Sequence, residues 1–303
     1  MKARAVAWGI CRRWEEKAGV KDTVTKREAH SSCPLCRDSK PENFNIYFDG
    51  YVKLYRCKTC GFVAQYPGPG QNTILTSYED FPQSRALGEG QEFLYPNKRR
   101  VLQNIVDHVF DIGGSGKILD VGCGDGHFLH LCALRGFTCH GVEPSKKTSA
   151  YASSSTGIHV IQELYKEELF LEDSFDVVSF IQVLEHIPNP APVLEAARYH
   201  LRSGGLLVVE VPSIRSPHFL LYQLTGIKWF ARPPRGIIYS HVNYFSPKTL
   251  VALIEQVGFK QKELITGRWR FKYSGVLGSI AHITDPLMNA AKVGGILYLG
   301  VNE

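Results

Sequence analysis

From Gly116 onward the chain alternates two kinds of apolar pattern. Short runs rich in β-branched residues, KILDV, FTCHGV, IHVI, FDVVSFI and LLVVEV, read as strands. Between or after them, HFLHLCALRG, KKTSAYASS, PAPVLEAARYHL and SPKTLVALIEQVGF space their apolar residues as helices do. Ser246-Pro247 marks the start of the last helix and Gly258 its end. Strands that are apolar along nearly their whole length need cover on both faces. The prediction is therefore an α/β fold with a doubly wound, mostly parallel sheet. PNKRRVLQNIVDHVF, just upstream, is a helical lead-in. KQKELIT and RWRFKYS read as a closing pair of strands. The tail, 274–303, is apolar and glycine-rich but broken by Asp285-Pro286, and it receives no element.

The N-terminal third follows a different rule. FNIYFDGYVKLYRC alternates as a hairpin does, with Asp49-Gly50 at its turn. Two C-x-x-C pairs flank it: Cys33 with Cys36, and Cys57 with Cys60. In a chain with no secretion signal, paired thiol knuckles point to zinc rather than to disulfides. Four protein ligands complete a tetrahedral ion and leave no open position. The expected zinc is structural, replacing a core that so short a segment cannot build. These features define a small zinc ribbon over 28–66, then a Pro/Gly-rich break, QYPGPGQN, and a linker and lead-in over 67–110. The main domain is placed at 111–273, with an aromatic and basic insertion at 213–240.

Charge and composition narrow this little. A net charge of +6 is compatible with nucleic acid, an anionic small molecule or a membrane surface, and selects none of them. No window approaches the ~20 apolar residues of a membrane span, and no signal peptide is visible. The expected location is cytoplasmic, with the insertion leaving peripheral membrane contact open.

The first strand runs into DVGCGDGHF, where Gly122, Gly124 and Gly126 alternate through a strand-to-helix turn. The dinucleotide fingerprint would carry its third glycine at 127, but that residue is His127. Glu143 ends the second strand about twenty residues on, where an acid can chelate ribose hydroxyls. Together these motifs resemble the class I S-adenosylmethionine-dependent methyltransferases, in the branch of the ubiquinone-type O-methyltransferases and the sugar and polysaccharide methyltransferases. KILDVGCGDGHFL, GVEPS, FDVVSFIQVLEHIPNP, LRSGGLLVVEVP and HVNYFSPKTL carry the likeness, in family order, over about half the chain. The resemblance implies a Rossmann-like domain, and some sugar methyltransferases of this group carry a four-cysteine zinc segment as well. It also implies S-adenosylmethionine as cofactor. Its methionine end falls to Asp120, Gly122, Gly124 and Gly126, its ribose to Glu143, and its adenine edge to Gln162 or Glu163. The carboxylate of that ligand suits a helix N-terminus, and Asp120 suits its ammonium.

Transfer to an oxygen would also release a proton and call for a base. His241 and His186 are the candidates, with a packing or capping role as the alternative for each. Glu185 can orient His186, His127 reads as a neighbour of the cofactor, and Asp176 divides between a site role and holding loop backbone. Trp229, Phe230, Arg232 and Arg235 in the insertion suit a nucleotide-sugar or lipid-linked sugar, a membrane surface, or a packed lid. The expected function is methylation of a small-molecule acceptor, a sugar, nucleotide-sugar or glycan precursor. An RNA methyltransferase using the ribbon (Lys53, Arg56, Lys58) is the alternative. Strand four ends in SFIQVLEH, without the Asn-Pro-Pro-aromatic arrangement of enzymes that methylate exocyclic base nitrogens, which counts against one type of nucleic-acid substrate. A binding module that has lost catalysis is a third reading.

Overall fold

The computed structural model describes residues 32–39, 44–48, 53–65, 96–214, 241–267 and 295–303. Trp229, Phe230, Arg232, Arg235, most of the 213–240 insertion and the segment RWRFKYS lie outside the described residues.

The main sheet has seven strands. Five are parallel: β4 (Lys117–Val121), β5 (Thr138–Val142), β6 (Val160–Ile161), β7 (Phe175–Ile181) and β8 (Leu201–Val211). The chain builds outward from β4 through β5 to β6, then returns to lay β7 and β8 on the other side of β4. The direction of winding thus reverses between β4 and β7, which is where ligands bind in open α/β sheets. IHVI contributes only the two residues of β6, a short edge strand. A segment at an edge needs only part of its length in the ladder.

The far side of the sheet departs from the expectation. The partner of β10 (Phe259–Gly267) is β11 (Gly295–Asn302), which lies antiparallel between β10 and β8. The tail without an assigned element therefore supplies an interior strand, and the domain runs past residue 273. Ile296, Leu297, Tyr298 and Leu299 are all buried, as a strand covered on both faces requires.

Helices cover the two faces: α1 (Pro96–Asp111), α2 (His127–Leu134), α3 (Lys146–Thr156), α4 (Ala191–His200) and α5 (Pro247–Gln256). Val101, Leu102, Ile105, Val106 and Val109 of α1 pack with Ile118, Phe128 and Leu131 in one core cluster. The lead-in helix therefore belongs to the main domain rather than to a linker ending at 110. Helix α3 is capped by Ser145, whose hydroxyl accepts from Thr148 N, and ends at Gly157 with φ 70°. Helix α5 opens with a reciprocal capping box between Ser246 and Thr249.

The cysteine-bearing segment forms β1 (Phe44–Phe48), β2 (Lys53–Cys57) and β3 (Val63–Gln65), with β1 and β2 antiparallel in the register Phe44↔Cys57 to Phe48↔Lys53. A fourth strand, β9 (Asn243–Tyr244), pairs with β3 and comes from the chain leaving the insertion. Cys33, Leu35, Tyr55, Cys57, Phe62 and Ala64 share a core cluster with Leu184 and Phe245 of the main domain. Phe62 meets Phe245 edge to face at 5.6 Å between centroids. The ribbon is thus built into the wall of the main domain. Asp176 is also settled as part of the fold: it accepts from Lys117 N at 2.7 Å and pairs with Arg202, at the edge of the sheet away from the glycine turn.

Candidate functional site

In parallel strands every carboxyl end lies at one edge of the sheet, so the segments leaving β4, β5, β6 and β7 converge there. The glycine turn comes after β4, Glu143 after β5, Gln162 and Glu163 after β6, and Glu185 and His186 after β7 in a single helical turn, Leu184–His186.

All three turn glycines have positive φ, 67° at Gly122, 55° at Gly124 and 80° at Gly126. Two of them show different reasons for having no side chain. At Gly122 a Cβ would stand 2.8 Å from Val183 Cγ2, so the turn closes directly against the segment leading to His186. At Gly124 a Cβ would meet nothing within 4 Å, so the turn's backbone faces open space there. A ligand can then approach the main chain itself.

Glu143 is fixed from two sides. Gly124 N donates to its Oε2 at 3.1 Å and Ser145 N to its Oε1 at 3.0 Å. Each carboxylate oxygen keeps acceptor capacity after one bond, so an aimed carboxylate remains able to take hydroxyl protons. Asp120 is 2% exposed on β4 and accepts from Ser179 Oγ at 2.7 Å. Burial pushes its carboxyl up to about 7; the Ser179 bond opposes this and nearby Glu143 adds to it. A cation placed there relieves that cost, which fits the ammonium end of an amino acid. Gln162 and Glu163 are both exposed, at the strand end beside Glu143, whose N donates to Ile161 O. His127 pairs with Asp125 at 2.6 Å inside the turn.

On the β7 side of the reversal the structure joins two residues 55 positions apart. The rings of His186 and His241 lie 4.6 Å apart, inclined at 79°. Glu185 beneath them is fully buried, its Oε1 3.8 Å from His186 Nε2. One donor or acceptor atom from each of these three residues lies within 4.8 Å of the others, so one hydroxyl can touch both imidazoles. Val242 N donates to Glu185 O at 2.7 Å, and Asn243 Nδ2 to Ile187 O at 2.6 Å, which ties the two segments together. Ser213 bridges to Phe245, so both ends of the insertion leave from this place. Gln182, at the end of β7, was not singled out from sequence. It has φ 60°, unusual for a residue with a side chain, and its N donates to Glu210 O at 2.8 Å.

The four ribbon thiols are free of disulfides and lie within 4.8 Å of one another, with Cys33 and Cys60 Sγ 3.5 Å apart and Cys36 and Cys57 Sγ also 3.5 Å apart. Bonds of ~2.3 Å to a tetrahedral zinc put neighbouring sulfurs ~3.8 Å apart, so the donor set fits that ion. Burial raises the Cys33 thiol and lifts Cys60 to about 12, while Cys57 is lowered overall, although burial opposes the change, by bonds from Cys60 N, Cys36 and Thr59 N. Thiols so crowded favour a cation that takes them as thiolates.

Comparison with known proteins agrees with this geometry. A family model described as a methyltransferase domain matches residues 93–264. A ubiquinone biosynthesis O-methyltransferase of Pseudomonas syringae pv. tomato is 30% identical over 169 residues, 54% of this chain and 72% of that protein. The enzyme of the same name from Pseudomonas fluorescens is 29% identical over the same shares. A solved S-adenosylmethionine-dependent methyltransferase of Thermotoga maritima, described as a possible histamine N-methyltransferase, superposes with a TM-score of 0.52 at 19% identity. It covers 76% of this chain and 100% of that one, a likeness of fold. Among the described residues no helix is long and apolar enough to cross a membrane.

A first expectation concerns Glu143. A hydrogen bond to a charged group contributes about 1.5–3 kcal/mol. Were Glu143 to accept two such bonds from a ribose, Glu143→Ala would be expected to weaken S-adenosylmethionine binding about 100-fold or more. Calorimetric titration of both proteins measures this, and an unchanged affinity would remove Glu143 from the cofactor site.

Proposed function

The chain belongs to the class I S-adenosylmethionine-dependent methyltransferases, and we propose that it methylates a hydroxyl of a small-molecule acceptor beside the His186–His241 pair. The bound cofactor supplies a methyl group on a sulfonium, with a neutral thioether as leaving group. The chain's own residues then have three tasks. The glycine turn, Asp120 and Glu143 hold the cofactor, with Gln162 and Glu163 at its adenine edge. Val183, packed on Gly122, holds the glycine turn and the histidine pair in fixed relation, which would orient an acceptor towards a bound cofactor. His241 and His186 face the acceptor hydroxyl and take its proton as the oxygen–carbon bond forms, with Glu185 orienting His186.

The observation that carries this reading is the meeting of Glu185, His186 and His241 across the β4/β7 reversal from the glycine turn. The relatives' names support oxygen as the acceptor atom. The four-cysteine segment supports a sugar, nucleotide-sugar or glycan precursor, as in the sugar methyltransferases it resembles, and the cysteines there hold a structural zinc. A phenolic acceptor is the second reading, favoured by the ubiquinone biosynthesis relatives. The ribbon's burial in the main core weighs against its use as a free RNA-holding module, although Arg56 and Lys58 are exposed on it.

The test is transfer of labelled methyl to panels of nucleotide-sugars, prenylated phenols and RNA. Turnover with one panel names the acceptor class. With that acceptor, His241→Ala and His186→Ala are each expected to lower turnover about 10²- to 10⁴-fold. Cofactor affinity should stay within about twofold, since neither imidazole belongs to the cofactor half. Full activity in both variants would refute the assignment.

A further inference from the structure

The ribbon does more than stand beside the histidine pair; one of its side chains holds the segment that presents it. Gln65 ends β3 and is 6% exposed. Its Nε2 donates to the carbonyl oxygen of His241 at 2.7 Å, and its backbone N donates to Val242 O at 2.9 Å. The next residues are paired in a ladder, Ala64 with Asn243 and Val63 with Tyr244. From Val242 the chain of bonds continues to Glu185 O, next to His186.

We infer that Gln65 is a positioning residue for His241, and that the four-cysteine unit thereby sets the geometry of the His186–His241 pair. A two-residue strand such as β9 has little hold of its own, because so short a ladder leaves most of its backbone groups to other partners. His241 sits two residues before it, with Val242 between. Its own main-chain acceptor is taken by a ribbon side chain, and its neighbour's acceptor by the ribbon main chain. Displacing Gln65 moves the Cα that carries the imidazole, while the glycine turn, Asp120 and Glu143 belong to strands it does not touch. This couples metal in the ribbon to the histidine pair and leaves the proposed cofactor residues alone. The inference deepens the reading of the histidines as the acceptor site and rests on it only for its consequence in turnover.

The test reads geometry directly and needs no acceptor. Protein labelled with ¹⁵N-histidine and loaded with zinc gives long-range ¹⁵N–¹H correlations for each imidazole, assigned with His186→Ala and His241→Ala. Gln65→Met keeps the side chain's size and removes its donor. It is expected to displace the His241 and His186 ring signals while zinc content and S-adenosylmethionine affinity stay at wild-type levels. Gln65→Glu, whose carboxylate cannot donate to a carbonyl, should displace them in the same way. Thr59→Ala, which removes a surface bond of the ribbon to Asp38, should leave both signals in place. Unmoved histidine signals in both Gln65 variants would overturn the inference. So would loss of zinc or of cofactor affinity along with the displacement, which would make Gln65 a residue that holds the fold. Displaced signals with fully active histidine variants would keep the coupling and discard the catalytic reading instead.

Discussion

Cys57→Ser is expected to abolish the zinc binding proposed for the four thiols, and with it most of the order of the N-terminal unit. Structural zinc contributes on the order of 10–16 kcal/mol in zinc-finger peptides at neutral pH, as much as the roughly 5–15 kcal/mol by which whole domains are stable. The loss should spread, because Cys33, Cys57, Tyr55 and Phe62 lie in the same cluster as Leu184 and Phe245. Metal analysis should fall from a full complement to nearly none, with a lowered midpoint of thermal unfolding. Stripping wild-type protein with a strong chelator should reproduce both changes. A variant that keeps its zinc and its melting temperature would show the four thiols to be a packed cluster and no more.

The second large effect concerns Asp120 and has opposite signs for stability and binding. The folded carboxyl is pushed up to about 7 by burial, against ~3.9 in an unfolded chain. The neutral form is therefore the one the fold prefers. Stability it contributes is present below about pH 4 and is lost as pH rises through about 7. Asp120→Asn removes the charge and can keep the Ser179 bond, so cofactor-free protein should gain roughly 1–3 kcal/mol at pH 8. In the proposed cofactor site, an ammonium held by Asp120 would need the charged form. Wild-type affinity should thus weaken as pH falls below about 7, by up to ~10-fold per unit. The variant should bind weakly with little pH dependence. Thermal melts without cofactor and titrations between about pH 5.5 and about pH 8.5 measure the two halves separately. A variant that melts lower and binds with the wild-type pH slope would refute both.

The features legible in the sequence obey local rules. The strand–helix alternation, the Ser246 helix start, the cysteine spacing and the position of Glu143 each depend on residues near one another in sequence. The features that escaped depend on distant partners. GILYLGVN is apolar on both faces because β11 is interior. Such a run carries no period of its own, and nothing local says that its neighbours are β8 and β10. Strand β9 has two residues, too few for any pattern to register. Sequence picked out His186 and His241 one at a time; their meeting depends on Val242 N bonding to Glu185 O. Gln182 escaped because a positive φ at a residue with a side chain is imposed by its surroundings and not by its type.

The place of β11 also sets a schedule for the growing chain. Strand β10 is synthesised before the neighbour that joins it to the sheet. Roughly 35 more residues must be added after the end of β10 to complete β11, about 2–7 s at ~5–20 residues per second. Throughout that interval β8 presents an open flank where Leu206, Leu207, Val208 and Val209 will later be matched by β11. An unfilled apolar edge of this kind invites pairing with other nascent chains. Slower translation over the stretch between β10 and β11 is therefore expected to lower the yield of folded chain where no chaperone covers that edge.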